Sequence, residues 1–452
     1  MPAKKKHVPV KRDGTIVIRG ADVITMNERF DVAKLDVAIE DGRIIGVGPK
    51  LSTRGADMVI EAKGLVLMPG FVQAHVHLCQ TLFRAQADDM VLLDWLRERI
   101  WPMEGALEAD DMRAAARLGL SELLLSGTTG ILDMGTVRHA DVLFEEAARS
   151  GIRYVGGKCL MDVGQGYPAG LRETTESAID ESVTLCERWH GAADGRLRYA
   201  FSPRFALSCS EHAMKMCAAN ARAHGAMLHT HASENSEEIE LVRERSGKSN
   251  IEYLHSLGLT GPDVVLAHGV WLSAEERRIL RDTKTRLAHC PSSNLKLASG
   301  IARIDELLQM DIHIALGADG AACNNGLDAF MEMRLAAILH KVRGGPTAIP
   351  ARKALHMATR AGSQALGLED AGIIAPGMRA DVVLLDLHKP HVYPDIGDLT
   401  SRVVYSARPT DVHSVIIDGR VVVREGQLLT LDVNKTLRDA RAAAKRVATR
   451  VA

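Results

Sequence analysis

Pro69-Gly70-Phe71-Val72-Gln73-Ala74-His75-Val76-His77 is an apolar run that starts after a Pro-Gly break and ends in two histidines. A strand turns successive side chains to opposite faces, so His75 and His77 point the same way and can share one ion. Three later runs close in the same manner. They are Leu228-His229-Thr230-His231 with Glu234 three residues on, Leu266-Ala267-His268, and Leu316-Gly317-Ala318-Asp319. A lone His-x-His carries little weight. Four strand ends that each offer a ligand or an acid–base group describe one divalent-metal site gathered from separate strands.

Working outward, eight short apolar runs end near His77, Asp133, Asp162, Arg204, His231, His268, His289 and Asp319. Between them lie stretches of helical period such as 110–125, 211–224 and 273–282. Eight β-then-α units predict a (β/α)8 (TIM) barrel over 69–373, a fold whose chemistry sits at the C-terminal strand ends. Both termini read as β. Asp41-Gly42 between two alternating runs is a hairpin signal, and 381–385 and 414–423 repeat the style. The expectation is an α/β chain with a small composite β-sandwich domain, built from 1–68 and from 374–452 with a terminal helix.

The 452 residues are 46% hydrophobic, with 56 basic against 57 acidic side chains, net −1. That balance leaves no electrostatic footprint for nucleic acid and no basic patch for an acidic membrane. No run of about 18 apolar residues offers a span. Lys4, Lys5, Lys6, Lys11 and Arg12 precede no apolar stretch, so they predict a disordered basic start, not a signal peptide. The seven cysteines lack Cys-x-x-Cys pairing and suggest reduced thiols in a cytoplasmic protein.

Within the site, His75, His77, His231 and Asp319 are the expected metal ligands, with zinc first and iron second. His231 is preferred to His229 because it lies nearer the strand end, and His229 is read as a satisfied interior histidine. No lysine stands near the end of Tyr199-Ala200-Phe201-Ser202, which favours one metal. Asp319 doubles as the base that takes a proton from water. Glu234 is the acid, and His268 either helps activate the water or orients a ligand. His289 is expected to be supporting or structural. A metal-activated water beside a protonated carboxylic acid suits hydrolysis of a C–N bond at an amidine-like carbon, with ammonia leaving.

These motifs resemble the amidohydrolase superfamily, and within it the mononuclear purine- and triazine-acting aminohydrolases. The resemblance spans roughly Ile16 to Val423. Leu92–Leu96, Ile100–Glu104, Ser293–Gly300 and Glu332-Met333-Arg334 are similar to methylthioadenosine/S-adenosylhomocysteine deaminases, which implies a ribose contact for Glu104. Gly157–Asp162, Ser202–Ser210, His231–Asn235 and Gln80 look like guanine deaminases, which implies that Gln80, Arg204 and Phe205 hold a purine base. Arg204 can only donate, so it suits a ring acceptor; the alternative is an ion pair to a neighbouring acid. Trp95 and Trp101, six apart around an apolar loop, are taken as packing residues that can also line the substrate mouth, with Trp101 counted among the substrate contacts. Met331 and Met333 are expected to fill the core, and Cys79 to be an ordinary thiol. The expected activity is removal of an amino group from an aminated purine, either a guanine-like base or an adenosine-type nucleoside. The alternatives are a deaminase of adenosine derivatives (methylthioadenosine, S-adenosylhomocysteine or 5'-deoxyadenosine) and an s-triazine or pterin hydrolase on the same site, and a catalytically silent binding protein is the most distant. The partners expected are a small-molecule substrate and further copies of the chain, with neither nucleic acid nor membrane.

Overall fold

A computed structural model describes residues 5–164 and 167–452. Lys4 of the basic start lies outside them. From Lys6 onward that start is packed and not disordered. The Lys6 ammonium pairs with Glu145 and sits 4.7 Å from the Trp189 ring, and Arg12 reaches Asp194 and Asp418.

The eight apolar runs form parallel strands in chain order: Phe71–His77, Thr128–Thr136, Arg153–Leu160, Leu197–Pro203, Met227–Ala232, Val264–His268, Arg286–His289 and a split eighth. The eighth strand decides the site. Its first half, Ile314–Leu316, pairs with Arg286–His289, whereas its second half, Asp319–Gly320, pairs with the first strand in register Asp319↔Val76 and Gly320↔His77. The barrel is thereby closed, and Asp319 is set beside the two histidines. Gly317 makes this approach possible, since a Cβ there would stand 2.6 Å from the His75 carbonyl oxygen. The anticipated helices appear as Ala109–Leu125, Glu211–His224 and Ala274–Asp282, the last capped by Ser273 and Glu276.

The termini build one hydrogen-bonded sheet of nine strands. Its two halves meet where Val382–Leu385 runs antiparallel to Val66–Pro69, directly before the first barrel strand. Ile16–Ile24 changes partner midway, so strands from both chain ends share one core of Ile16, Ile18, Val37, Ile39, Val382, Leu384 and Ile416. Asp41 and Gly42, at φ 47° and 76°, make the hairpin turn expected of them. Sheet and barrel are tied by Arg153, 2% exposed, between Asp381 and Asp418. The terminal helix Val433–Val451 packs on Ala109–Leu125, with Arg446 and Arg450 on Asp111. Met333 is buried as expected, but Met331 is 50% exposed and fills no core gap. Among the described residues, no helix is long and apolar enough to cross a membrane, and the seven cysteines are all free and buried.

Candidate active site

Ligand atoms of His75, His77, His231 and Asp319 all lie within 4.8 Å of one another. His75 and His77 come from one face of the first strand, His231 from the fifth, and Asp319 from the split eighth. Nε2 of His77 is 3.1 Å from Nε2 of His231, and Oδ1 of Asp319 is 3.2 and 3.3 Å from Nε2 of His75 and His77. Holding these groups together strains the backbone. Asp319, His268 and Ser233, which precedes Glu234, all take left-handed φ values of 61°, 77° and 54°. Such conformations cost about 1–3 kcal/mol each in a non-glycine residue and persist where the surroundings over-determine them.

The donor set fits a divalent cation. Nδ1 of His231 is 2.7 Å from the Arg204 carbonyl oxygen. That oxygen only accepts, so Nδ1 carries the hydrogen and Nε2 presents a lone pair. Nε2 of His75 is buried without a hydrogen-bond partner. Burial, together with the neighbouring imidazoles, holds His77 and His231 well below the usual histidine range, so both are neutral and able to ligate. Burial opposes ionisation of Asp319, and the Ser293 hydroxyl and Gly320 N–H that donate to it favour the carboxylate. Three neutral imidazoles and one carboxylate suit zinc or iron(II).

Around this cluster stand the acid–base groups. Ser293 donates to Oδ2 of Asp319 at 2.6 Å, and Gly320 N–H to Oδ1 at 2.9 Å. His268 holds Nδ1 2.9 Å from Oδ1 of Asn294, which turns Nε2 toward Oε2 of Glu234 at 3.4 Å and Oδ2 of Asp319 at 4.0 Å. Burial, then the charges of Asp319 and Glu238, push Glu234 well above the usual carboxylate range, which favours its protonated form. Glu238 escaped the sequence reading. Its Oε2 accepts the Glu234 N–H at 3.0 Å, its Oε1 accepts from Asn250 at 2.7 Å, and it lines the cavity. The available signal was its place four residues after Glu234, in the first turn of Ser236–Ser246.

A cavity opens beside the cluster, with Gln80, Arg204 and Phe205 on its wall together with Leu92, Trp95, Leu96 and Leu297. Trp101 is not on it. Residues 92–105 form a continuous helical segment with one wide π turn at Leu96–Ile100, and not an apolar loop. Positions six apart on a helix do not share a face, so Trp95 meets the cavity while Trp101 packs edge-on against Tyr167 at 4.6 Å. Glu104 also stands behind the wall. Arg204 grips its carboxylate with both terminal nitrogens, and Gln80 donates to it at 2.9 Å. The ion-pair alternative for Arg204 is therefore real, although its side chain still reaches the cavity. Gln80 retains a buried Oε1 with no partner. His229 lies under His75, with Nε2 2.8 Å from Nδ1 of that residue, and His289 sits beside His340.

Comparison with known proteins agrees with this arrangement. The family model described as "Amidohydrolase family" matches residues 66–422. The chain is 39% identical over 437 residues to a 5'-deoxyadenosine deaminase of Methanosarcina acetivorans, covering 96% of this chain and 99% of that one. It is 40% identical over 441 residues to a 5-methylthioadenosine/S-adenosylhomocysteine deaminase of Pelotomaculum thermopropionicum, with the same coverage. A zinc-bound adenosine deaminase from Xanthomonas campestris superposes with a TM-score of 0.90 at 28% identity, over 98% of this chain and 100% of that one. With the matched segment carrying the barrel and every residue of the metal cluster, the chain belongs to the amidohydrolase family.

Proposed function

We propose that this protein is a metal-dependent deaminase, a hydrolase of C–N bonds in cyclic amidines. It adds water to the amino-bearing ring carbon of an aminated purine and releases ammonia, with adenosine-type nucleosides ranked ahead of guanine-like bases. The observation that carries this reading is the ligand cluster of His75, His77, His231 and Asp319 with the buried Glu234 carboxyl beside it on the cavity wall. The relatives named above, deaminases of adenosine derivatives at 39% and 40% identity, support the ranking.

The four ligands would hold one ion, zinc first and iron second. When bound there, the ion would supply Lewis acidity that lowers the pKa of water towards about 7. Asp319, ionised and oriented by Ser293 and Gly320, takes the proton of the attacking water through Oδ2, and His268 steadies that water from the same side. Glu234 gives its proton to the ring nitrogen beside the attacked carbon. The proton gathered from water then passes to the amino group, the C–N bond breaks to release ammonia, and the adduct's hydroxyl proton returns to Glu234 as the ring C=O forms. Leu92, Trp95, Leu96, Phe205 and Leu297 exclude solvent around the ring, while the free Oε1 of Gln80 and the remaining N–H groups of Arg204 read its polar edge. Glu104 acts through Arg204 and Gln80, holding both in place.

The reading is tested by incubating ion-loaded protein with 5'-deoxyadenosine, methylthioadenosine, adenosine and guanine and measuring ammonia, with metal analysis of the same sample. We expect turnover of adenosine-type nucleosides and one ion per chain. Ammonia from none of the four would refute the activity, and turnover of guanine alone would reverse the ranking. A reducing cytoplasmic setting is supported by the seven free cysteines, the lack of a nucleic-acid or membrane partner by the balanced charge, and self-association is part of the same proposal. Gel filtration with light scattering measures the last.

A further inference from the structure

His229 lies two residues before His231 and shares its face of the fifth strand, deeper in the barrel. It is fully buried, and both of its ring nitrogens are engaged. Nδ1 is 2.9 Å from the carbonyl oxygen of Val265, and Nε2 is 2.8 Å from Nδ1 of His75. These contacts order the protons. A carbonyl oxygen only accepts, so Nδ1 of His229 carries the hydrogen. A neutral imidazole has one such hydrogen, which leaves Nε2 with a lone pair that can only receive. Nδ1 of His75 is then the donor, and Nε2 of His75 keeps its lone pair. That is the buried atom without a hydrogen-bond partner, 3.2 Å from Oδ1 of Asp319.

We propose that His229 is a positioning residue for the metal centre, holding His75 in the one tautomer and ring orientation that can bind an ion. A ligating imidazole ordinarily donates its other nitrogen straight to a carboxylate, carbonyl or water. His231 does so, to the Arg204 carbonyl. His75 reaches its carbonyl, that of Val265, only through a second imidazole. The strand pairing sets this arrangement: His229 stands level with Val265 in the parallel ladder, so the carbonyl is presented to the His229 ring. The inference rests on His75 being an ion ligand, as proposed above.

Two experiments test it. In the first, ion-free protein is titrated with cobalt(II) and zinc for wild type, His229→Leu and His229→Gln, with folding followed by circular dichroism. Glutamine retains an acceptor for His75, so it should stay within about threefold of wild type, whereas leucine should weaken binding by about 10- to 100-fold. Leucine binding as tightly as wild type, or glutamine losing as much as leucine while folded, overturns the proposal. In the second, nitrogen-15 histidine spectra of zinc-loaded wild type report tautomers without any substitution, so the test stands even if a variant fails to fold. Hydrogen on Nδ1 of both His229 and His75 is expected, and hydrogen on Nε2 of either overturns the relay. A wild type that takes up no ion at all overturns the metal site itself, an outcome distinct from failure of the relay.

Discussion

Replacing Arg204 separates its two possible duties. Its guanidinium is 5% exposed and holds the equally buried Glu104, with Nη2 3.2 Å from Oε1. At an effective dielectric of about 20, two unit charges about 3 Å apart attract by about 5 kcal/mol. Desolvation of two buried ions costs several kcal/mol each, so the intact pair contributes little net stability over an uncharged pair. Removing one partner is different. Arg204→Met leaves Glu104 with only Gln80 and the weak Cys79 thiol, and breaking such a pair costs about 3–5 kcal/mol. Arg204→Met with Glu104→Gln removes both charges and should recover most of that loss. Urea denaturation midpoints of the four proteins measure the coupling. The catalytic constants should behave otherwise. If Arg204 also donates to the ring, kcat/KM of the double variant stays down by about 10- to 100-fold, as expected for a lost charged hydrogen bond of about 1.5–3 kcal/mol. A single variant destabilised by less than about 1 kcal/mol would refute the energetic argument. A double variant with wild-type kcat/KM would refute the substrate contact and leave Arg204 a purely structural ion-pair partner.

Glu234→Gln keeps the shape of the acid but removes its proton, so kcat should fall by about 10²- to 10⁴-fold with ion content unchanged; wild-type kcat would exclude Glu234 as the acid. Ser233→Gly relieves a left-handed φ of 54° and deletes a buried hydroxyl with no partner. It should raise stability by about 1 kcal/mol, seen as a higher melting temperature, and a lower one would contradict the strain reading. Glu332 is pushed up to about 7 by burial, despite donors from Ser292 and Asn324. The folded protein therefore holds this proton more tightly than the unfolded chain. Its stabilising effect is full below the unfolded value of 4.5 and is lost as pH rises through about 7, a difference of about 3 kcal/mol by linkage. Denaturation at pH 5 and pH 8 should show a shallower pH dependence for Glu332→Gln than for wild type, and identical slopes would refute the assignment.

The sequence by itself determined which residues close the barrel strands. A run that is apolar on both faces and ends in histidine or aspartate needs no partner to be recognised, because strand period and strand-end placement are local properties. His75, His77, His231, His268 and Asp319 were legible for that reason, and Glu234 by its fixed distance from His231. The hairpin at Asp41-Gly42 was legible because turn chemistry is equally local. What needed the tertiary structure was every relation between distant segments. Trp101 could not be told from Trp95 until residues 92–105 wound into a helix and turned one ring toward the cavity and the other onto Tyr167. An ion pair was an open reading for Arg204, but nothing marked Glu104, 100 residues away, as the partner, since a long-range ion pair leaves no period in a sequence. The same holds for the carbonyl of Val265 behind His229 and for the split eighth strand that brings Asp319 onto the first. Local periodicity sets which groups are offered at the barrel mouth. Packing of one strand on the next decides which nitrogen of each histidine is free, and so which of them can hold an ion.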